Sequence, residues 1–239
     1  MSEYIPILNL PSKCRVYPNV EPGSITVRAY QGKDEVYLSQ INSTNLERNY
    51  FELLKDLVHG VDPELLTLGD RLYLIIWECI NSYTNTIPVQ LICPECIEEI
   101  EVSVDLSALS VTHLPDDFQQ PYEVTLPKTG KKLLLRLLNV KDDLAVERYS
   151  LKNDDGMLYR YARSVVTEDD ILQVLEQVRQ MHAKDFTAIR AFHEKFYHGP
   201  DMETLLPCPK CGEEITVDVP FRSNFFFPDG EALRKSFGA

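Results

Sequence analysis

Two copies of a Cys-Pro-x-Cys hook constrain this chain more than any other feature of its sequence. The first hook runs from Cys93 to Cys96 and the second from Cys208 to Cys211, and each is followed by acidic residues and an alternating strand pattern. Four thiols in two C-x2-C pairs make a complete tetrahedral site for zinc. Because 111 residues lie between Cys96 and Cys208, a shared ion would tie two distant parts of the chain together.

Each hook is predicted to be a knuckle at the tip of a β-hairpin. Strand-like segments lie at 87–92 and 100–106 around the first hook, and at 215–221 after the second. The proline after the first cysteine fixes φ and opens the turn. Gly212 suits the left-handed backbone that such turns often need. Ile97 stands at the same place in the first hook, where we expect it to distort the turn.

Three other uses of these cysteines are weaker. Disulfides are disfavoured because six cysteines in 239 residues is a low density and no signal peptide is recognisable. A thioredoxin-like redox pair would begin a helix, whereas both hooks lead into strands. Two separate sites completed by histidine would use His193 or His198 at the second hook, but no histidine lies near the first. The duplicated motif favours one shared zinc site of four thiolates.

This site is expected to be structural. Catalytic zinc keeps one position open for water, and four thiolates fill all four positions. Zinc with four thiolates carries a net charge of −2, and the glutamates that follow both hooks add to it, with Lys210 as the one opposing charge. Such surroundings repel nucleic-acid phosphate, and backbone N–H groups must supply much of the support for the sulfurs.

The composition points away from nucleic acids and membranes. The net charge is −13 and the pI is about 4.8, whereas a general nucleic-acid binder shows a basic stripe. The basic cluster of Lys128, Lys131 and Lys132 is expected to be a solvated hairpin tip. No stretch approaches the roughly 20 apolar residues of a membrane span. The N-terminus lacks the pattern of a signal peptide, so we expect an intracellular protein.

The periodicity predicts an α+β fold, in which helices and short β-hairpins are joined by the four-cysteine site. Apolar residues at helical spacing predict helices over 34–41, 46–59, 67–83, 171–181 and 186–196. Alternating patterns predict strands at 24–30 and in a hairpin formed by 122–126 and 133–138. Capping boxes are predicted at Thr67 and Thr167, and the long helix that follows Thr67 is expected to be buried.

The succession of helix, knuckle and strand occurs twice. It predicts two segments, residues 1–110 and residues 111–239, which a shared zinc joins into one body. Outside the knuckles the two segments show no convincing identity, so internal duplication and convergent packing around one ion are equal explanations. Cys79 is expected in the core, and Cys14 has no assigned role. The phenylalanines at 225–227 suit either the core or an anchor that docks into a partner.

Several segments together resemble a known phage family. Leu10-Pro11-Ser12-Lys13 and Tyr17-Pro18 stand near the start, and segments 25–28, 32–35 and 66–77 follow. The two hooks come next, and the match ends with Val219-Pro220-Phe221-Arg222. In this order they resemble the baseplate hub assembly proteins of T-even-type contractile-tailed phages, over about residues 8–228.

The resemblance implies a non-enzymatic role in building the central hub of a tail baseplate. Family members act as assembly factors, as hub components, or as both. It implies other hub and tail proteins as partners, an oligomer within the baseplate, and a location in the host cytoplasm during assembly and in the virion tail baseplate. The residues carried over as a site are the zinc ligands Cys93, Cys96, Cys208 and Cys211.

Other function classes find less support in the residues. The sequence has no Gly-rich phosphate loop, no H-E-x-x-H and no G-x-S-x-G, so no catalytic residues are predicted. An intracellular zinc-ribbon module associated with nucleic acid or transcription is the alternative, and the acidic charge argues against it. A metal-dependent enzyme comes third, because it would need an open coordination position.

Overall fold

The computed structural model describes residues 3–40 and 46–219, and these residues form the predicted α+β fold. The phenylalanines at 225–227 and the predicted strand end at 221 lie outside the described residues. The helices are α1 Glu35–Leu38, α2 Leu46–Leu57, α3 Leu68–Ser82, α4 Val140–Ser150, α5 Gly156–Arg163, α6 Ile171–Arg179 and α7 Ala183–Lys195. The strands are β1 Ile5–Pro6, β2 Thr26–Val27, β3 Val58–His59, β4 Thr86–Ile92, β5 Glu99–Asp105, β6 Val111–Thr112, β7 Tyr122–Thr125, β8 Lys132–Leu135, β9 Gly199–Pro200, β10 Glu203–Pro207 and β11 Glu214–Asp218.

The structure confirms the predicted helices and the β7–β8 hairpin, with corrections at their ends. The second helix ends at Leu57, because the next two residues pair with β2 as strand β3. The expected capping box at Thr167 is wrong, since Asp170 caps α6 by accepting a hydrogen bond from the backbone N–H of Leu172. The lysines at the tip of the β7–β8 hairpin are exposed, as expected.

Each half of the chain contains a small antiparallel sheet of the same design. In the first half, β2 lies between β1 and β3, and Val27 pairs with Val58. In the second half, β8 pairs with β7 on one side, and Leu135 forms a bridge with Val165 on the other. The middle strand is therefore paired on both sides in each half.

An Arg–Asp pair follows the middle strand in both halves. Arg28 comes directly after β2 and binds Asp34 with two hydrogen bonds of 2.6 and 3.0 Å. Arg136 comes directly after β8 and binds Asp142, also six residues later, with bonds of 2.6 and 2.9 Å. Both aspartates stand at the start of a helix, α1 or α4, where negative charge is favourable. In each half, the ion pair therefore links the end of the middle strand to the start of the helix that follows it.

A buried aspartate in the helix before each hook repeats as well. Asp70, the third residue of α3, accepts a hydrogen bond of 2.8 Å from the backbone N–H of Ser12. Asp185, the third residue of α7, accepts one of 2.6 Å from the backbone N–H of Lys128. Ser12 and Lys128 both directly follow a Leu-Pro pair. The repetition thus extends well beyond the knuckles and favours internal duplication over convergent packing.

The main hydrophobic core brings the two halves together. It is built on α3, whose buried residues include Leu74 and Ile75, and it also takes in Leu144 of α4 and Val217 of β11. Cys79 lies in this core, as expected. The division into residues 1–110 and 111–239 stays a prediction. Within the described ranges, no helix has the length and apolar character needed to cross a bilayer.

Candidate metal centre

The first hook is the turn between β4 and β5, which pair along their whole length with Ile92 opposite Glu99. Inside the turn, the backbone N–H of Cys93 donates to the carbonyl of Glu98 at 3.0 Å. The N–H of Ile97 donates back to the carbonyl of Cys93 at 2.9 Å. These two bonds close the hook, so the predicted knuckle at a hairpin tip is confirmed.

The second hook, between β10 and β11, has the same backbone. The N–H of Cys208 donates to the carbonyl of Glu213 at 2.8 Å, and the N–H of Gly212 donates to the carbonyl of Cys208 at 2.9 Å. Gly212 has a φ of 81° and Ile97 a φ of 60°, so both occupy the left-handed region. The expectation that Ile97 distorts its turn is wrong, because the isoleucine adopts the backbone that glycine adopts in the other hook.

The four sulfurs converge on one point. Those of Cys93 and Cys211 lie 3.9 Å apart, as do those of Cys96 and Cys208, and all four lie within 4.8 Å of one another. A zinc tetrahedron with bonds of about 2.3 Å has sulfur–sulfur edges of about 3.8 Å. A disulfide would need about 2.05 Å, and the cysteines are free thiols. The cluster therefore has the size that a four-thiolate metal site requires.

The cluster is symmetric in how the hooks contribute. The first cysteine of each hook contacts the second cysteine of the other hook, and both contacts measure 3.9 Å. Exchanging the hooks leaves these two contacts unchanged. Each hook supplies two of the four thiols, so neither hook alone offers a complete tetrahedral set.

Backbone N–H groups support the sulfur of Cys208. A hydrogen bond from the backbone N–H of Cys211 is the main cause that lowers the pKa of the Cys208 thiol to about 6. The N–H of Lys210 also donates to this sulfur, at 3.4 Å. A thiolate is the form that binds metal, and N–H donors of this kind stabilise it. At Cys211 a hydrogen bond from the backbone N–H of Glu213 is outweighed by desolvation and by the neighbouring thiols, which raise the pKa of this thiol to about 12. Without a metal the cluster therefore favours a thiolate at Cys208 and a thiol at Cys211.

The hairpins that carry the two hooks pack against the main hydrophobic core. Cys93 and Cys208 are buried, Cys96 is half-buried and Cys211 is exposed. The inward faces of the two hairpins belong to the main core through Ile100, Val102 and Val104 of β5 and Ile215 and Val217 of β11. The hooks thus stand on packed hairpins, with the edge of the site at the surface.

The histidines considered as separate ligands lie elsewhere. The ring of His198 is buried, with Nε2 2.7 Å from the hydroxyl of Thr67 and Nδ1 3.0 Å from the carbonyl of Phe196. The ring of His193 lies against those of Tyr161 and Phe192. Among the described residues, the metal-ligand cluster contains cysteines alone. The arrangement with two histidine-completed sites is not found.

Other segments of the resemblance meet at a buried joint around Asp70. Besides the N–H of Ser12, its carboxylate accepts a hydrogen bond of 2.5 Å from the hydroxyl of Tyr17. That same hydroxyl accepts a bond from the backbone N–H of Thr67, the residue that caps α3. Asp70 lies in the first turn of α3, where negative charge is favourable, and these two hydrogen bonds also attach the N-terminal segment to the helix. No pattern in the sequence indicated Tyr17 as the partner of Asp70.

Gly69 brings the two halves into close contact at this joint. A Cβ at this position would lie 1.8 Å from the carbonyl oxygen of His198, which is well inside any real contact. Glycine at position 69 therefore allows this close packing. Together with the bond between His198 and Thr67, this contact ties the start of α3 to the chain that leads into the second hook.

Comparison with known proteins identifies the family. A family model described as T4 bacteriophage base plate protein matches residues 1–227. No curated protein and no solved structure matches the chain. The match supports a structural role in a phage baseplate and confirms the resemblance found in the sequence. Because it spans nearly the whole sequence, the chain belongs to the T4 bacteriophage base plate protein family.

Proposed function

We propose that the chain is a non-enzymatic structural or assembly protein of the central hub of a contractile-tail baseplate, folded around a structural zinc ion. Membership of the family carries the baseplate role. The proposed ligands are Cys93, Cys96, Cys208 and Cys211, whose sulfurs cluster within 4.8 Å. The proposed partners are other hub and tail proteins, and the chain acts in the host cytoplasm during assembly and in the tail baseplate.

The donor set supports zinc in a structural role. Four thiolates fill a tetrahedral shell and leave no position for a substrate or an activated water molecule. The ion would hold the two hooks together and so join residues 1–110 and 111–239 into one body. The acidic balance of the chain opposes binding to nucleic-acid phosphate, which depends on lysine and arginine.

The magnitudes fit a metal that the fold depends on. Closing a loop of about 100 residues with a covalent link contributes about 4.7 kcal/mol in the chain-entropy model. Zinc binding to finger peptides contributes about 10–16 kcal/mol near pH 7, whereas a typical domain is stable by about 5–15 kcal/mol. Loss of the ion should therefore unfold the knuckle region, while the core around α3 keeps part of its structure.

Zinc quantitation on purified protein tests the shared site. The natural chain should hold one zinc ion, and serine at both cysteines of either hook should remove it completely. Cys79→Ala is the matched control, because Cys79 is buried in the core and lies outside the cluster. Retention of half the metal by either hook variant would refute the shared site.

Tail material from infected cells tests the baseplate role. The chain should co-purify with hub or tail proteins, and its presence in purified virions decides whether it stays in the particle or leaves after assembly. A chain that purifies as a monomer free of every tail protein would refute the proposal.

A further inference from the structure

The outward face of the first hairpin is a surface without an internal partner in the described structure. We call it the first-hook surface, defined by Ile92, Ile97, Glu99 and Glu101, all of which are exposed. The opposite face of the same hairpin packs into the core through Ile100 and its neighbours. A strand face that meets only water normally carries polar side chains. Two exposed isoleucines at one hairpin tip therefore call for an explanation.

Of the two exposed isoleucines, Ile97 provides the stronger argument for a binding surface. Its side chain is 72% exposed, and its φ of 60° is one that a β-branched residue rarely adopts. The second hook places Gly212 at the same position, with the same hydrogen bonds and no strain. Backbone strain of this kind is found at functional sites. The isoleucine destabilises its own turn and makes little packing contact within the chain. Its role is therefore to be sought in a contact with another molecule.

A groove of ≈ 450 Å³ includes three residues of the first-hook surface, Ile92, Glu99 and Glu101, in its lining. It is lined by Gln90, Leu91, Ile92, Glu99, Ile100 and Glu101. Ile92, which is 60% exposed, lies opposite Glu99 in the strand register, and Gln90 lies opposite Glu101. The groove thus offers an apolar side chain directly beside carboxylates.

The charge of this region specifies the partner. From β4 through the hook to β5 the sequence contains four glutamates and one aspartate, and neither lysine nor arginine. A surface with an apolar centre and acidic flanks complements one with an apolar side chain and basic flanks. We propose that the first-hook surface binds a segment of another baseplate protein that presents lysine or arginine beside an apolar side chain. This rests on the proposed baseplate function and names the partner chemistry.

Photocrosslinking of the full-length, zinc-loaded chain tests the proposal. A photoreactive amino acid replaces Glu98, which is exposed within the hook, and the protein is mixed with tail assemblies from infected cells. The control carries the same group in place of Leu151, an exposed apolar residue (71%) at the end of α4. The result expected is a crosslink from position 98, absent from position 151, to a tail-protein segment containing lysine or arginine beside an apolar residue.

Variants separate binding from stability. Two variants should each weaken association with tail assemblies about tenfold, as expected for central interface residues. The first is Ile97→Gly, and the second is the double variant Glu99→Gln, Glu101→Gln. Leu151→Gly should leave association unchanged. Ile97→Gly should weaken association while leaving the unfolding midpoint equal or higher, which a merely structural role of Ile97 would not produce.

Two kinds of outcome would overturn the inference. One is a crosslink from position 98 to residues 220–239 of the same chain, to a second copy of the chain, or to a neutral or acidic segment of another protein. The other is the absence of any crosslink from position 98 in a chain that still sediments with tails. In each of these the baseplate function stands and the surface is wrong. If the chain fails to associate with tails in any form, the baseplate function fails and this inference fails with it.

Discussion

Replacing Ile97 by glycine should stabilise the protein, although the change removes an apolar side chain. Ile97 has a φ of 60° at the place where the second hook has Gly212 with a φ of 81°. The backbone hydrogen bonds of the two hooks match, so glycine can occupy the first hook without any rearrangement. The substitution therefore isolates the conformational preference of one residue.

The size of the effect follows from three terms. A left-handed backbone destabilises a non-glycine residue by about 1–2 kcal/mol, and a β-branched residue belongs at the upper end of that range. Glycine relieves this strain, but about 0.5–1 kcal/mol of the relief is offset because glycine raises the conformational entropy of the unfolded chain. Since Ile97 is 72% exposed, the burial it forfeits is worth about 0.5 kcal/mol. The net expectation is a gain of about 0.5–1 kcal/mol.

Denaturant unfolding at equal free zinc measures this difference. Gly212→Ala is the matched control, because a Cβ there would meet no atom within 4 Å and the change tests the backbone alone. It should lower the free energy of unfolding by about 0.5–1 kcal/mol. Both variants should still bind one zinc ion. A loss of stability in Ile97→Gly together with no change in Gly212→Ala would refute the reasoning, since the left-handed turn would then not be strained.

Three further substitutions test buried ionisable groups. Arg28→Met should destabilise the chain by about 3–5 kcal/mol in thermal or denaturant unfolding, because Asp34 would be left as a buried, unpaired carboxylate. Arg136→Met should destabilise the chain less, since Asp142 keeps its 2.7 Å ion pair with Arg163. Equal losses of stability in the two variants would contradict this reasoning. Burial raises the pKa of Glu78 to about 8, so the unfolded chain releases this proton first and stability should fall by about 3–5 kcal/mol as the pH rises from 4.5 to 8. Glu78→Gln should remove that part of the pH dependence, which unfolding curves of both proteins across this range would show.

The two hooks of the candidate metal centre could be predicted from the sequence because each hook depends on local spacing. A C-x2-C pair with proline in the turn and strands on both sides has few structural solutions, and the hooks formed as predicted. The expectation for Ile97 failed because the two hydrogen bonds that close the turn, at about 0.5–1.5 kcal/mol each, act together with the pairing of the whole β4–β5 hairpin, and their sum outweighs a preference of about 1–2 kcal/mol for one residue. Local preference was overridden by the surrounding hairpin.

The Arg–Asp pairs were missed, although the sequence contains a signal for them. Residues 28–34 and 136–142 share the pattern Arg, two residues, an amide side chain, one residue, Lys-Asp. The alternating patterns did predict the strands before them, but both predicted strands ran past the arginine, to residues 30 and 138, whereas β2 ends at Val27 and β8 ends at Leu135. The cap of α6 was misplaced for a different reason, because threonine and aspartate both cap helices and several stand in a row before Ile171.

Besides the shared hydrophobic core, two of the contacts between the halves differ in chemistry. One is the candidate metal centre, where each hook supplies two of four sulfurs. The other is the joint at the start of α3, where His198 binds Thr67 and Gly69 lets the chains approach, without any metal. The joint lies at the start of α3, whereas the candidate metal centre lies beyond the other end of α3, at the tip of the hairpin that follows it. Because the joint contains no metal ligand, removing the proposed ion should free the hairpin tips first and leave the joint intact.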